Sequence, residues 1–136
     1  MDEVILHILR SAKVIAVVGL SPSPHRPSYA VASYLQEHGY RIIPVNPHVA
    51  EVLGERSYPD LREVPETVDV VNIFRRPEFV PPIVEGAIAI AAKAVWMQLG
   101  IVHEEAAARA RAAGLLVVMD RCIKVEHQKF FRSLSF

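Results

Sequence analysis

The stretch VIAVVGLSPSPHRPSYAVASYLQEHG, residues 14–39, reads as a strand, a turn and a helix in immediate succession. The run VIAVV at 14–18 is apolar at every position rather than at every second one. That pattern belongs to a strand buried on both faces of a parallel sheet. Residues 28–38 set Val31, Tyr34 and Leu35 on one helical face, and Gly39 follows as a stop. A helix that begins just after a strand turns its unpaired N–H groups back toward the strand's carboxyl end, where they attract anions. Dinucleotide-binding turns place two further glycines after the first. Here Gly19 and Leu20 are followed by Ser21, Pro22, Ser23, Pro24, His25, Arg26, Pro27 and Ser28.

Four more apolar runs extend the pattern: RIIPV (41–45), VDVVNIF (68–74), AVWMQL (94–99) and LLVVM (115–119). Helical segments fall between them. Residues 78–92 carry Val80, Ile83, Val84, Ala87, Ile88 and Ala91 at helical spacing, with the start placed near Pro81 and Pro82, where proline is tolerated. Residues 103–113 (HEEAAARARAA) are strong helix formers with two acids in the first turn. DEVILHILRSA precedes the first strand and IKVEHQKFFRSL follows the last, both read as helices. The connection 46–67 shows no clear helix. Strands alternating with helices predict an α/β fold, a Rossmann-like doubly wound sheet of five parallel strands with three layers. The strand order expected is 3-2-1-4-5, with residues 1–136 as a single domain. Ligands of such sheets lie outside the carboxyl ends of the strands, at the switch point. That order puts the switch between strands 1 and 4.

The 136 residues suffice for one buried core. Apolar residues make up 51% and charged residues 22%, and fifteen basic residues balance fifteen acidic ones. A balanced charge argues against a nucleic-acid or membrane-surface binder, which would use a basic excess. The single cysteine, Cys122, allows no intrachain disulfide and fits a reducing, cytoplasmic setting. MDEVILHILRSAK resembles neither a signal nor a transit peptide, and no apolar run is long enough for a membrane span.

The rim residues then carry the function. In the first loop, Gly19 gives close backbone approach. Ser21, Ser23 and Ser28 offer hydroxyls, and Arg26 offers a fork of donors to phosphate. After strand 2, PVNPH holds no carboxylate where NAD enzymes place one for the ribose. Asn46 either contacts a ribose or base or only caps the turn before Pro47. After strand 3, Phe74, Arg75 and Arg76 concentrate positive charge, with at most one arginine facing a given phosphate. After strand 4 comes Gln98, and after strand 5 Asp120, Arg121 and Cys122.

VVGLSPSPHRPSYAVASYLQEHGYRIIPVNP, GERSYPDL, VDVVNIFRRPE, AKAVWMQLGI and VVMDRC together resemble the small CoA-binding protein family. That family is similar to the N-terminal CoA-binding domain of the succinyl-CoA synthetase α subunit. The resemblance covers about residues 10–127. It implies a Rossmann-like domain that binds coenzyme A. Gly19, Leu20, Ser21, Ser23, Arg26 and Ser28 would meet the phosphates, and Asn46 and Pro47 the ADP portion. Phe74, Arg75 and Arg76 would border the adenine and pantetheine path, with Gln98 near the thiol end. The synthetase's phosphohistidine domain lies outside the resemblance, so none of its acyl-phosphate chemistry is implied. The turn here is richer in proline and serine than the synthetase's.

The residues agree with this independently. Coenzyme A carries a pyrophosphate and a 3′-phosphate, and a ribose-binding carboxylate would repel the latter. The expectation is a CoA-binding protein, with CoA as its small-molecule ligand and no catalytic residues assigned. A protein partner or homodimer is left open. The alternative is a small NADP- or acyl-CoA-dependent enzyme. Candidate reactive groups are Cys122, Asp120, His103 and His127, with Cys122 also able to form a mixed disulfide with the CoA thiol. No grouping has metal-ligand spacing, so no metal is expected.

Overall fold

The computed structural model describes residues 1–134. In chain order the elements are α1 (Asp2–Ser11), β1 (Val14–Val18), α2 (Pro27–Glu37), β2 (Arg41–Val45), β3 (Glu51–Val52), β4 (Glu55–Arg56), β5 (Val70–Ile73), α3 (Val80–Ala89), β6 (Ala94–Met97), α4 (Glu104–Ala112), β7 (Leu116–Val118) and α5 (Ile123–Leu134). Short 3₁₀ turns lie at Leu61–Glu63 and Pro77–Phe79. Five parallel strands form the main sheet in the order β2-β1-β5-β6-β7, and β3 with β4 makes a separate antiparallel hairpin. One apolar cluster joins α1, α2 and α5 to one face of the sheet, and a second joins α3 and α4 to the other. The α/β class, the parallel pairing and the three layers agree with the sequence reading.

The strand order does not. Numbered along the main sheet it is 2-1-3-4-5, not 3-2-1-4-5. Pro44 supplies the physical reason. Proline has no N–H to give to a ladder and is confined to sheet edges. The amides of β2 alternate: Arg41 N donates to Lys13 O on the β1 side, and Asn46 N donates outward to Tyr58 O. Position 44 therefore faces outward, and its carbonyl accepts from Tyr58 N. β2 is thus an edge strand, and the third strand must pair elsewhere. The Asp69 carboxylate fastens it beside β1 by accepting from Lys13 N and Val14 N, each at 2.9 Å. Burial alone would raise the Asp69 pKa. The two amides and the Lys93 ammonium outweigh it and hold the carboxyl below its usual value. The connection 46–69 carries no α-helix, as expected, but it is not plain loop. It contains the hairpin and a 3₁₀ turn, and it passes β1 to reach the sheet's centre.

Six polar residues are buried among the described residues, and two of them, Asn72 and His127, bear on stability. Asn72 of β5 is fully buried between Val17 and Trp96 in register, and neither amide atom has a partner among the described residues. An orphaned buried amide costs roughly 1–3 kcal/mol. Asn72→Val is therefore expected to stabilise the protein by ~1–2 kcal/mol, read as a higher urea midpoint with unchanged slope. A lower midpoint would contradict the assignment.

His127 is among the candidate reactive groups of the sequence. It is buried on α5, with Nδ1 2.7 Å from the Tyr34 hydroxyl. Burial, then the nearby His38, holds it below the ordinary 6.5. The unfolded chain thus takes up this proton at a higher pH than the fold does. Stability from His127 is complete above pH 6.5 and falls as pH drops below it, by at most about 1.4 kcal/mol per pH unit. Urea unfolding at pH 7.5 and pH 5.5 should show that loss, and His127→Gln should diminish it.

Candidate functional site

The corrected order moves the switch point to the gap between β1 and β5. From β1 the chain leaves to α2 on one face, and from β5 it leaves to α3 on the other. The loops 19–26 and 74–76 diverge there, as the rule for open parallel sheets requires of a ligand crevice. Two cavities open along this rim. One, of about 420 Å³, is lined by Gly19, Asn46, Pro47, His48, Asp60, Arg62 and Arg75 and floored by Pro82, Ile83 and Gly86 of α3. The other, of about 520 Å³, is mainly apolar and lies between Pro27 and Val31 of α2, Phe74, Gln98, Ile101 and Cys122. Arg75 lines both cavities.

Gly19 has φ +89°, a value only glycine adopts without strain. A Cβ there would stand 2.7 Å from Phe74 O and 3.0 Å from Arg75 Cδ. The missing side chain thus lets the two rim loops pack together, in addition to any approach by a ligand.

The serines shape the first loop. Ser21 N donates to Ser28 Oγ at 3.0 Å and Ser23 N donates to Ser21 Oγ at 3.1 Å. Leu20 is fully buried in the core on the α2 side and lines neither cavity. Pro27 opens α2 at a position where its missing N–H is no loss, and Arg26 is exposed at the N-cap. Asn46 holds a turn, its Nδ2 donating to Leu20 O at 3.0 Å and its Oδ1 accepting from His48 N at 2.9 Å. The turn-capping alternative accounts for both ends of that side chain.

Arg75 and Arg76 both line the apolar cavity and stand over the Phe79 ring, Arg76 at 5.2 Å. Arg76 pairs loosely with Glu78 at 3.8 Å. Arg75 stacks over the Phe79 ring at 4.4 Å and, like Arg26, has no ion-pair partner among the described residues. The one carboxylate lining either cavity is Asp60, whose Oδ1 accepts from Arg62 N at 2.8 Å. Gln98 is 4% exposed and accepts from Ile123 N at 2.9 Å through Oε1.

Residues 13–128 match the family model of the CoA binding domain. The chain belongs to this CoA-binding domain family. Coenzyme A is accordingly its small-molecule ligand class. The chain is 45% identical over 123 residues to an uncharacterized Bacillus subtilis protein, YneT, covering 90% of this chain and 91% of that one. A solved hypothetical protein from Pyrococcus horikoshii superposes with TM-score 0.93 at 43% identity, covering 96% of this chain and 92% of that one. An ADP-forming acetate–CoA ligase of Archaeoglobus fulgidus is 27% identical over 134 residues, spanning 91% of this chain but only 20% of the ligase. Among the described residues no helix is long and apolar enough to cross a membrane.

Of the reactive candidates, two hold backbone amides. His103 caps α4, its Nδ1 accepting from Ala106 N at 3.0 Å. Asp120, at φ 59°, accepts from Gly100 N at 2.7 Å. His127 lies in the α2–α5 packing, away from both rim cavities. Only Cys122 lines one of them. Sequence reasoning missed Asp60 and Arg62 as lining residues. They sit on the connection after β2, whose hairpin and 3₁₀ turn fold back over the rim. Its position at a strand's carboxyl end was the available signal.

Proposed function

We propose that this chain holds coenzyme A across the β1/β5 crevice. The pyrophosphate lies by the α2 N-terminus, Arg26 and Arg75. The nucleoside end, with its 3′-phosphate, occupies the polar cavity by Pro47, His48 and Arg62. The pantetheine arm runs through the apolar cavity past Phe74 toward Gln98. The observation that carries this reading is the junction at Arg75. A cation without an ionic partner stands between a polar and an apolar cavity, as a ligand with an anionic middle and an aliphatic arm requires. The first loop's helix terminus adds donors for the phosphates. The lack of a carboxylate after β2 removes the group an NAD site would use. His103 and Asp120 are tied to backbone partners, and His127 packs away from the rim, which supports binding rather than acid–base catalysis.

Calorimetry with CoA, 3′-dephospho-CoA, NAD and NADP tests this. CoA is expected to bind and to stabilise the fold by ~2.7 kcal/mol at 100 times its dissociation constant. NAD should give no such shift. Arg26→Ala and Arg75→Ala should each weaken CoA by ~1.5–3 kcal/mol, as for hydrogen bonds to charged groups. Unchanged affinity in both variants would remove the arginine assignment, and absence of CoA binding would remove the reading itself.

A further inference from the structure

The apolar cavity ends at the chain's single cysteine. Cys122 is partly exposed and lines that cavity together with Gln98. Its backbone is held firmly. The Cys122 carbonyl accepts from Glu126 N at 3.0 Å, which places the residue at the head of the twelve-residue α5. The next amide, Ile123 N, donates to Gln98 Oε1 at 2.9 Å, and the preceding carbonyl, Arg121 O, accepts from Trp96 Nε1 at 2.8 Å.

Gln98 supplies an independent observation. It is 96% buried and its oxygen is committed to Ile123, yet its Nε2 donates to no group of the described residues. A donor without a partner among the described residues, on the wall of a mainly apolar cavity, is open to an acceptor from outside the chain. An amide carbonyl on a slender aliphatic arm supplies one beside the sulfur.

We infer that Cys122 captures the thiol end of a coenzyme-A-type ligand as a mixed disulfide, an inference that rests on the CoA reading above. The co-reactant is the ligand's own symmetric disulfide. The Cys122 thiol gives its proton to solvent, and the thiolate Sγ attacks one sulfur of that disulfide. The ligand's S–S bond breaks and the Sγ–S bond forms. The second half leaves as a thiolate and takes a proton from solvent. The Cys122 sulfur is oxidised and the departing sulfur reduced, so no further oxidant is needed. Docked phosphates raise the local concentration of the disulfide at Sγ, which a disulfide lacking them does not enjoy.

The experiment incubates the reduced protein separately with CoA disulfide, with pantethine, which lacks the nucleotide, and with glutathione disulfide. Intact mass is followed under non-reducing conditions. Because the chain has one cysteine, any disulfide adduct reports on Cys122. The expected result is a single CoA adduct, reversed by dithiothreitol, forming about tenfold or more faster than either other adduct. Equal rates for all three disulfides, a Cys122–Cys122 linked pair of chains, or no adduct would each overturn the inference. Calorimetry with reduced CoA on the same sample separates the two readings. Binding of reduced CoA without adduct formation leaves the CoA site standing and removes only the covalent step. Absence of both removes both.

Discussion

Trp96→Ala is expected to destabilise the protein by ~3–5 kcal/mol, the range for truncating a large buried aromatic. Trp96 is fully buried in the middle of β6, flanked in register by Asn72 of β5 and Val118 of β7. Its indole N–H also donates to Arg121 O at 2.8 Å, so the substitution removes a core volume and orphans a carbonyl. Trp96→Phe separates these effects. It keeps most of the packing and loses the hydrogen bond, with an expected cost of ~1–3 kcal/mol. Urea unfolding at fixed pH measures both. A loss below about 1 kcal/mol in Trp96→Ala would show that the cavity collapses without penalty, against ordinary core behaviour. The loop from Asp120 to Cys122 hangs on that carbonyl, so hydrogen exchange there should quicken in both variants.

Gly19→Ala is the second large effect, and it should reach the ligand as well as the fold. A non-glycine residue at φ +89° costs ~1–2 kcal/mol. The added methyl would also lie 2.7 Å from Phe74 O, a backbone atom that cannot swing aside like the end of a long side chain. Relieving such a contact adds roughly 1–3 kcal/mol. The total expected is ~2–5 kcal/mol of stability. Because the 74–76 loop must retreat and carries Arg75, CoA affinity should fall about tenfold or more, since ~1.4 kcal/mol suffices for that. Gly39→Ala is the control. Gly39 has φ +93° with no atom within 4 Å of the would-be Cβ. It should show the strain alone, ~1–2 kcal/mol, with CoA affinity unchanged. Equal effects of the two substitutions on CoA affinity would show that the rim contact at Gly19 plays no part in shaping the site.

The elements of the fold were legible because their signals are local. VIAVV and VDVVNIF announce doubly buried strands by composition alone. The α4 segment, with Glu104 and Glu105 at its start, announces a helix in the same way. Pro44 is equally local, and it is enough to put β2 at the edge. The rim residues Gly19, Arg26, Asn46, Arg75 and Gln98 follow from one rule about strand ends, so their neighbourhood could be named before any coordinates were known. The serines show the limit of that rule. Ser21 and Ser28 look like ligand donors in sequence, and in the fold they accept amides that shape their own loop.

By itself, then, the sequence determined the class of the fold, the number of strands in the main sheet and the carboxyl-end rim where open parallel sheets carry their ligands. These depend on burial period, turn residues and strand ends, which act over a few neighbouring positions. Only the tertiary structure decided that the third strand lies beside the first, that Gly19 serves a loop–loop contact, and that Arg75 stands between two cavities with Cys122 in the apolar one. Those facts depend on which distant segments share a boundary, and contacts between distant segments leave no periodic trace in the chain.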